Sequence, residues 1–196
     1  SGDKILISNT KRAADNYLML YDLKEKKEIW KIENEALSRA RFSGSDKKIA
    51  AIEKSISGAE KIVILYPSNG ERANVIEPSS GTELADFMLG GEILAFSASG
   101  ASNYEFYDIE TGAMLWKTDY YPSANLSGDG KIFTKTVDGT AQFYSTSKRE
   151  KIHSLAKNWT GRMVGALNED GTLFASADDY TLFLYSIYDV WKGSDN

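Results

Sequence analysis

Five tyrosines recur along the chain, and each of them closes a short apolar segment. They are Tyr21, Tyr66, Tyr107, Tyr144 and Tyr185. Successive tyrosines are separated by 45, 41, 37 and 41 residues. A repeat of roughly 40 residues that holds several short strands is typical of a β-propeller blade. The spacing therefore predicts an all-β fold, a β-propeller of four-stranded antiparallel blades.

The chain of 196 residues accommodates about five such repeats. Because stacked repeats share one continuous core, we expect residues 1–196 to form a single propeller unit. The expected blades are residues 3–35, 36–80, 81–119, 120–157 and 158–192. Helical periodicity is almost absent, and we interpret residues 31–41 as a loop leading into a strand.

Two kinds of turn repeat with the tyrosines. Tight hairpins precede the last four of them, with Asp129-Gly130 and Asp170-Gly171 as the clearest bends. Such pairs tolerate the positive φ that a hairpin reversal requires. After the tyrosines, a tryptophan follows at the ninth position in two blades, as Trp30 and Trp116. The same count reaches Val75 and His153, so we interpret this as a packing position that docks blade against blade.

These motifs resemble those of known repeat proteins. The hairpin Ser-Gly-Asp-Gly-Lys-Ile-Phe at 127–133 resembles that of WD40-like and TolB-like repeats. The segment Tyr-Asp-Ile-Glu-Thr-Gly-Ala-Met-Leu-Trp at 107–116 is similar to one shared by WD40-like and quinoprotein-like (PQQ-like) blades. The chain thus resembles a divergent WD40-like or quinoprotein-like propeller. It departs from well-formed WD40 repeats because no blade carries their Gly-His pair or terminal Trp-Asp.

The two ends of the repeat array are expected to be incomplete. The first blade begins with Lys4 in its second strand, and the last has three strands before the segment 187–191. We favour about four and a half blades of a larger propeller over a five-bladed ring that closes imperfectly. Open blades leave strand edges that can pair with another chain. Self-association through these edges is therefore expected.

Charge and composition narrow the partners and the compartment. The net charge is −5, and lysines are interleaved with acids, so no basic surface for nucleic acid is expected. No apolar run approaches the ~18 residues that span a bilayer. The absence of cysteine excludes disulfides and thiolate metal sites. It favours the cytoplasm, with the periplasm and the extracellular space left open.

Catalytic chemistry finds little support among the residues. His153 is the single histidine and is expected on an outer strand, away from any partner acid or nucleophile. Asp86 is the one acid where the innermost strands begin, and Asp178-Asp179 are interpreted as a solvated turn rather than a cation site. No catalytic residue, metal ligand or cofactor is therefore predicted. The quinoprotein resemblance implies a calcium site and, in many members, a disulfide, which this chain does not provide.

The expected function is a non-catalytic scaffold that binds a protein partner through one loop face, within a larger protein or complex. Arginine, tyrosine and tryptophan dominate binding energy at protein interfaces. Such residues cluster where the chain enters its innermost strands: Arg39, Arg41, Tyr120, Tyr121, Trp159 and Arg162. One alternative is a propeller hydrolase or quinoprotein-like enzyme whose active residues lie outside this segment. Another is a bacterial envelope assembly factor.

Overall fold

A computed structural model describes ten stretches of the chain. They are residues 2–9, 16–33, 37–43, 46–55, 58–77, 84–98, 103–119, 124–156, 164–177 and 182–187. These residues contain eighteen β-strands in five antiparallel sheets, and no helix among them is long and apolar enough to cross a membrane. The predicted all-β architecture of repeated sheets is confirmed.

Each sheet is one blade, and its strands follow one another in chain order from the inside outwards. Blade 1 has β1 (Lys4–Asn9), β2 (Tyr17–Asp22) and β3 (Lys27–Glu33). Blade 2 has β4 (Leu37–Phe42), β5 (Ile49–Lys54), β6 (Glu60–Leu65) and β7 (Arg72–Ile76). Blade 3 has β8 (Leu84–Gly90), β9 (Ile93–Ala98), β10 (Asn103–Asp108) and β11 (Met114–Asp119). Blade 4 has β12 (Asn125–Leu126), β13 (Ile132–Val137), β14 (Thr140–Ser145) and β15 (Glu150–Ala156). Blade 5 has β16 (Val164–Leu167), β17 (Leu173–Ala177) and β18 (Leu182–Ser186).

The hydrophobic core lies between the blades. We call the side of a blade that packs on the next blade along the chain its leading face, and the opposite side its trailing face. The same leading position is buried in four blades and is occupied by Leu20, Ile64, Phe106 and Phe143. The same trailing position is buried in the four following blades and is occupied by Ile49, Leu94, Phe133 and Phe174. Every junction between successive blades therefore repeats one pairing of faces.

A β-bulge recurs between the last two strands of each of blades 1 to 4 and corrects the predicted alignment. It follows the pairs Leu20–Trp30, Ile64–Asn74, Phe106–Trp116 and Phe143–His153. In blade 2 the residue at the tyrosine position is therefore Leu65, and Tyr66 lies one residue beyond it. The equivalent of the two tryptophans is Asn74, so the prediction of Val75 is wrong.

The interpretation of residues 31–41 as a loop is also wrong. β3 continues to Glu33, and β4 already begins at Leu37. A bulge between Ser38 and Arg41 breaks the alternation of β4, and Arg39 there has a φ of 50°. An inserted residue shifts side chains to the other face of a strand, which hides the strand from a period-two pattern.

The predicted hairpins after the innermost strands are confirmed, and three of them are capped by a side chain at one shared position. Ser43 Oγ accepts from Lys48 N (3.1 Å) and Ser127 Oγ accepts from Ile132 N (3.0 Å). At the same place in blade 5, Asn168 Oδ1 accepts from Leu173 N (2.8 Å). These caps fix the ends of the innermost strands.

Candidate functional site

The structure describes two of the six residues predicted to bind a partner. Arg39 and Arg41 both lie on β4, the innermost strand of blade 2, and both are exposed. They are thus part of the strand rather than of the loop before it. Tyr120, Tyr121, Trp159 and Arg162 lie outside the described residues.

The bulge in β4 contains Arg39 and ends at Arg41. One residue is inserted between Ser38 and Arg41, and Arg39 there adopts the left-handed conformation. This conformation is energetically unfavourable for any residue that has a β-carbon. Backbone strain of this kind persists only where the surrounding structure enforces it. Here the strand pairs on both sides of the bulge, at Leu37–Glu53 and at Phe42–Ile49, supply that constraint.

Arg41 also connects two blades. Its guanidinium carbon lies 5.1 Å from the ring centroid of Phe87, a buried residue of β8 in blade 3. A guanidinium over an aromatic face is attracted by the negative electrostatic potential of that face. This contact orients Arg41 while leaving it exposed.

A groove of about 490 Å³ lies where the innermost strands end, at the hairpins that lead into the second strands. Its charged lining is balanced, with cations from Lys47, Lys131 and Arg149 and acids from Glu92, Asp129 and Glu169. Lys131 Nζ lies 3.0 Å from Asp129 Oδ2. The hydrogen bond that Lys131 donates to Asp129 raises the pKa of Lys131. The sequence prediction missed this groove, because its lining residues come from the hairpins of different blades.

Backbone hydrogen bonds between blades hold the hairpins that form the groove. Gly91 N donates to Gly128 O (2.5 Å), and Asp129 N donates to Glu169 O (2.7 Å). A β-carbon on Gly130 would lie 2.2 Å from Gly90 O, so this turn has room only for glycine. The hairpin ends of blades 3, 4 and 5 are therefore rigid with respect to one another.

His153, the single histidine, takes a structural position. His153 lies on the outer strand β15, as predicted, and its ring centroid is 5.9 Å from that of Phe143. Asp86 is on β8, and Asp178 and Asp179 lie outside the described residues. In the described stretches, no group of three or more His, Asp or Glu side chains could hold a metal ion.

Buried charges are instead tied into pairs that support the blades. Lys48 is buried and binds Glu110 of blade 3, which joins two blades. In β10, Glu105 binds Lys117 (2.7 Å) and accepts from Tyr107 Oη (2.9 Å). Burial and this hydrogen bond raise the pKa of Tyr107 far above its ordinary value, so its hydroxyl stays protonated. Such a group is a structural donor and not a proton carrier near neutral pH.

The tryptophans dock blade against blade, which confirms their predicted role. Trp30 Nε1 donates to Pro67 O of blade 2 (2.9 Å). Trp116 stacks on Phe106 at 4.3 Å and meets the edge of Phe133 of blade 4 at 6.5 Å. Asn74, at the same position in blade 2, donates from Nδ2 to Ile109 O of blade 3 (3.3 Å). One position in each of these blades thus contacts the following blade.

Comparisons with known proteins identify the fold. No protein-family model matches the chain, and no curated protein sequence matches it either. Among solved structures, the chain is similar to the crystal structure of the C-terminal WD40 domain of Sif2, with a TM-score of 0.58 and 15% identity. The match covers 92% of this chain and 53% of that domain, so the chain spans about half the length of the structure it resembles. The five blades have the fold of a divergent WD40-like β-propeller.

Proposed function

We propose that this protein is a non-catalytic β-propeller scaffold, and that it binds a protein partner at the face where its innermost strands begin. Propellers of the WD40 type typically serve as platforms for protein interaction, which supports the general role. The observation that carries the proposed site is the exposed arginine pair of β4, Arg39 and Arg41, presented by a bulge.

Two features of the pair favour binding of an acidic protein segment. Arginine presents a planar fork of donors that matches a carboxylate, and it is among the residues that most often dominate interface energies. Strand pairing also holds the backbone of the pair in place, and the contact with Phe87 orders the side chain of Arg41. A side chain that is already ordered loses less entropy on binding. The partner is expected to place aspartate or glutamate residues against this strand.

Affinity capture with the protein as bait tests this site. The variant Arg39→Ala/Arg41→Ala should lose the partners that the unchanged protein captures from an extract of its source cells. The control variant Lys24→Ala/Lys27→Ala removes two exposed cations from the outer turn of blade 1 and should retain them. Quantitative mass spectrometry of the captured proteins provides the measurement. Equal capture by both variants would show that the arginine pair is not the binding site.

We also propose that copies of this chain associate at the two ends of the blade array. In the described residues, the sheets of blades 1 and 5 have three strands, whereas the sheets of blades 2 to 4 have four. Incomplete sheets and their exposed apolar residues favour contact with another chain.

A further inference from the structure

The leading face of blade 5 is exposed at the positions that are buried in the other four blades. The position of Leu20, Ile64, Phe106 and Phe143 is occupied in blade 5 by Leu184, which is 67% exposed. Two residues earlier, the position of buried Leu18, Ile62, Tyr104 and Ala141 is occupied by Leu182, which is 75% exposed. Leu173 on β17, at the position of buried Ile132, is 39% exposed. Blade 5 thus carries an exposed apolar leading face that none of the other described blades covers.

The trailing face of blade 1 shows the complementary feature. Ile5 occupies the position that Ile49, Leu94, Phe133 and Phe174 fill in the other blades. Those four side chains are buried, whereas Ile5 is 38% exposed. Tyr21 shares this face, because its equivalents Leu65, Tyr107 and Tyr144 all contact the preceding blade. Blade 1 therefore presents an uncovered trailing face.

We propose that the leading face of blade 5 binds the trailing face of blade 1 in a second copy of this chain, so that copies join head to tail. This inference deepens the proposed self-association by naming its two surfaces. All four junctions inside the chain pair a leading face with a trailing face, and the two uncovered faces are one of each kind. Each uncovered face therefore has its complementary face on a second copy of the chain.

The geometry of this contact predicts how assembly proceeds. Because the two surfaces differ, the contact is heterologous, and each copy that is added leaves one face of each kind free. Assembly then continues into open chains of copies unless the rotation between them closes a ring. A symmetric pairing of two leading faces would instead stop at a dimer.

Sedimentation velocity over a range of protein concentrations tests the proposal. The unchanged protein should show a sedimentation coefficient that rises with concentration beyond that of a dimer. Leu184→Asp and Ile5→Asp should each remain monomeric, because each places a charge in one of the two faces. The control Met114→Asp changes an apolar residue that is 50% exposed on β11, outside both faces, and should associate like the unchanged protein. Circular dichroism verifies the fold, and Leu182→Lys replaces Leu184→Asp if that variant does not fold.

Mixing the two monomeric variants provides the decisive experiment. Leu184→Asp keeps its trailing face and Ile5→Asp keeps its leading face, so an equimolar mixture should form a heterodimer and nothing larger. A mixture that stays monomeric would overturn the head-to-tail contact. If both variants still associate like the unchanged protein, self-association stands and the assignment of faces is wrong. If the unchanged protein is monomeric at every concentration, both proposals fail.

Discussion

At the scale of single residues, the chain depends on one docking position that is repeated with different chemistry. Trp30, Asn74 and Trp116 all contact the following blade from this position, although the amide of Asn74 is much smaller than the two indoles. Two of these contacts are hydrogen bonds to a backbone carbonyl in the third-to-fourth-strand turn of that blade. The position therefore accepts planar groups of different size, rather than one particular residue.

The turn that receives Trp30 gives a sharp stability prediction. Gly70 has a φ of +75°, and a β-carbon there would lie 2.9 Å from Cδ2 of Trp30. Gly58 has a φ of +89° with nothing within 4 Å, so it isolates the backbone cost. We expect Gly58→Ala to lower the free energy of unfolding by about 1–2 kcal/mol, the cost of a left-handed alanine. Gly70→Ala should lower it by a further ~1–3 kcal/mol through overcrowding. Urea denaturation measures both, and equal losses would contradict the role of the Trp30 contact.

Residue patterns predicted the repeat well but not its alignment in blade 2. The tyrosine spacing correctly indicated the third strands, and the tryptophan count correctly indicated packing between blades. The count failed at Tyr66 because Leu65 holds the position of the other tyrosines. A tyrosine one residue after the strand gives almost the same spacing, and only the strand register distinguishes the two.

At the scale of strands, cross-strand ion pairs stabilise blade 2. Glu53 on β5 accepts from Arg72 on β7 at 2.9 and 3.2 Å and lies 3.1 Å from Lys61 Nζ on β6. Burial disfavours the charged carboxylate, but the hydrogen bonds from Arg72 and Lys61 outweigh it and hold the pKa of Glu53 below its ordinary value. One carboxylate thus links three strands of the sheet.

This cluster predicts a pH-dependent contribution to stability. Because the pKa of Glu53 is lowered in the folded state, the contribution is present above the ordinary pKa of a glutamate and is lost as the pH falls through the folded value. Glu53→Gln should therefore lower the free energy of unfolding at pH 7 by about 1 kcal/mol or less, as for other partly exposed pairs. The difference from the unchanged protein should shrink as the pH falls below 4. Thermal unfolding at several pH values measures it, with Glu33→Gln as an exposed control on β3. A difference that is constant with pH would contradict the assignment.

Strands were predictable where turn chemistry marked their ends. The Asp-Gly hairpins of blades 4 and 5 were recognised because few sequences other than such pairs adopt the required backbone. The start of β4 at Leu37 was missed because the bulge places exposed Arg39 and Arg41 on either side of Ala40, which hides the apolar alternation. The bulge that interrupts the period-two pattern of β4 also holds the candidate site, Arg39 and Arg41.

At the scale of the whole molecule, the groove at the hairpin ends could not be predicted from the sequence. It depends on Lys47, Lys131 and Glu169, which come from the hairpins of three different blades. Their proximity follows from how the blades are stacked, which no local pattern encodes. The partner-binding face was predicted from residue type alone, and the described part of it is limited to Arg39 and Arg41.

The uncovered end of the array predicts uneven protection from hydrogen exchange. The core between blades 4 and 5 covers only the trailing side of blade 5. Amides of β17 and β18 should therefore exchange faster than those of the equivalent strands β13 and β14, because fewer buried contacts oppose local opening. Hydrogen–deuterium exchange with mass spectrometry at low protein concentration compares peptides from residues 164–187 with those from 124–156. Equal protection in the two blades would contradict this expectation.

The reuse of one pair of surfaces at every junction has a consequence for how such a protein can change over evolutionary time. Duplication of one segment of about forty residues would insert a module whose two sides already match both of its new neighbours. Gain or loss of a whole module thus leaves each remaining boundary intact. A partial insertion would instead leave one β-strand without a hydrogen-bonded neighbour. Proteins of this design are expected to vary in length by whole units.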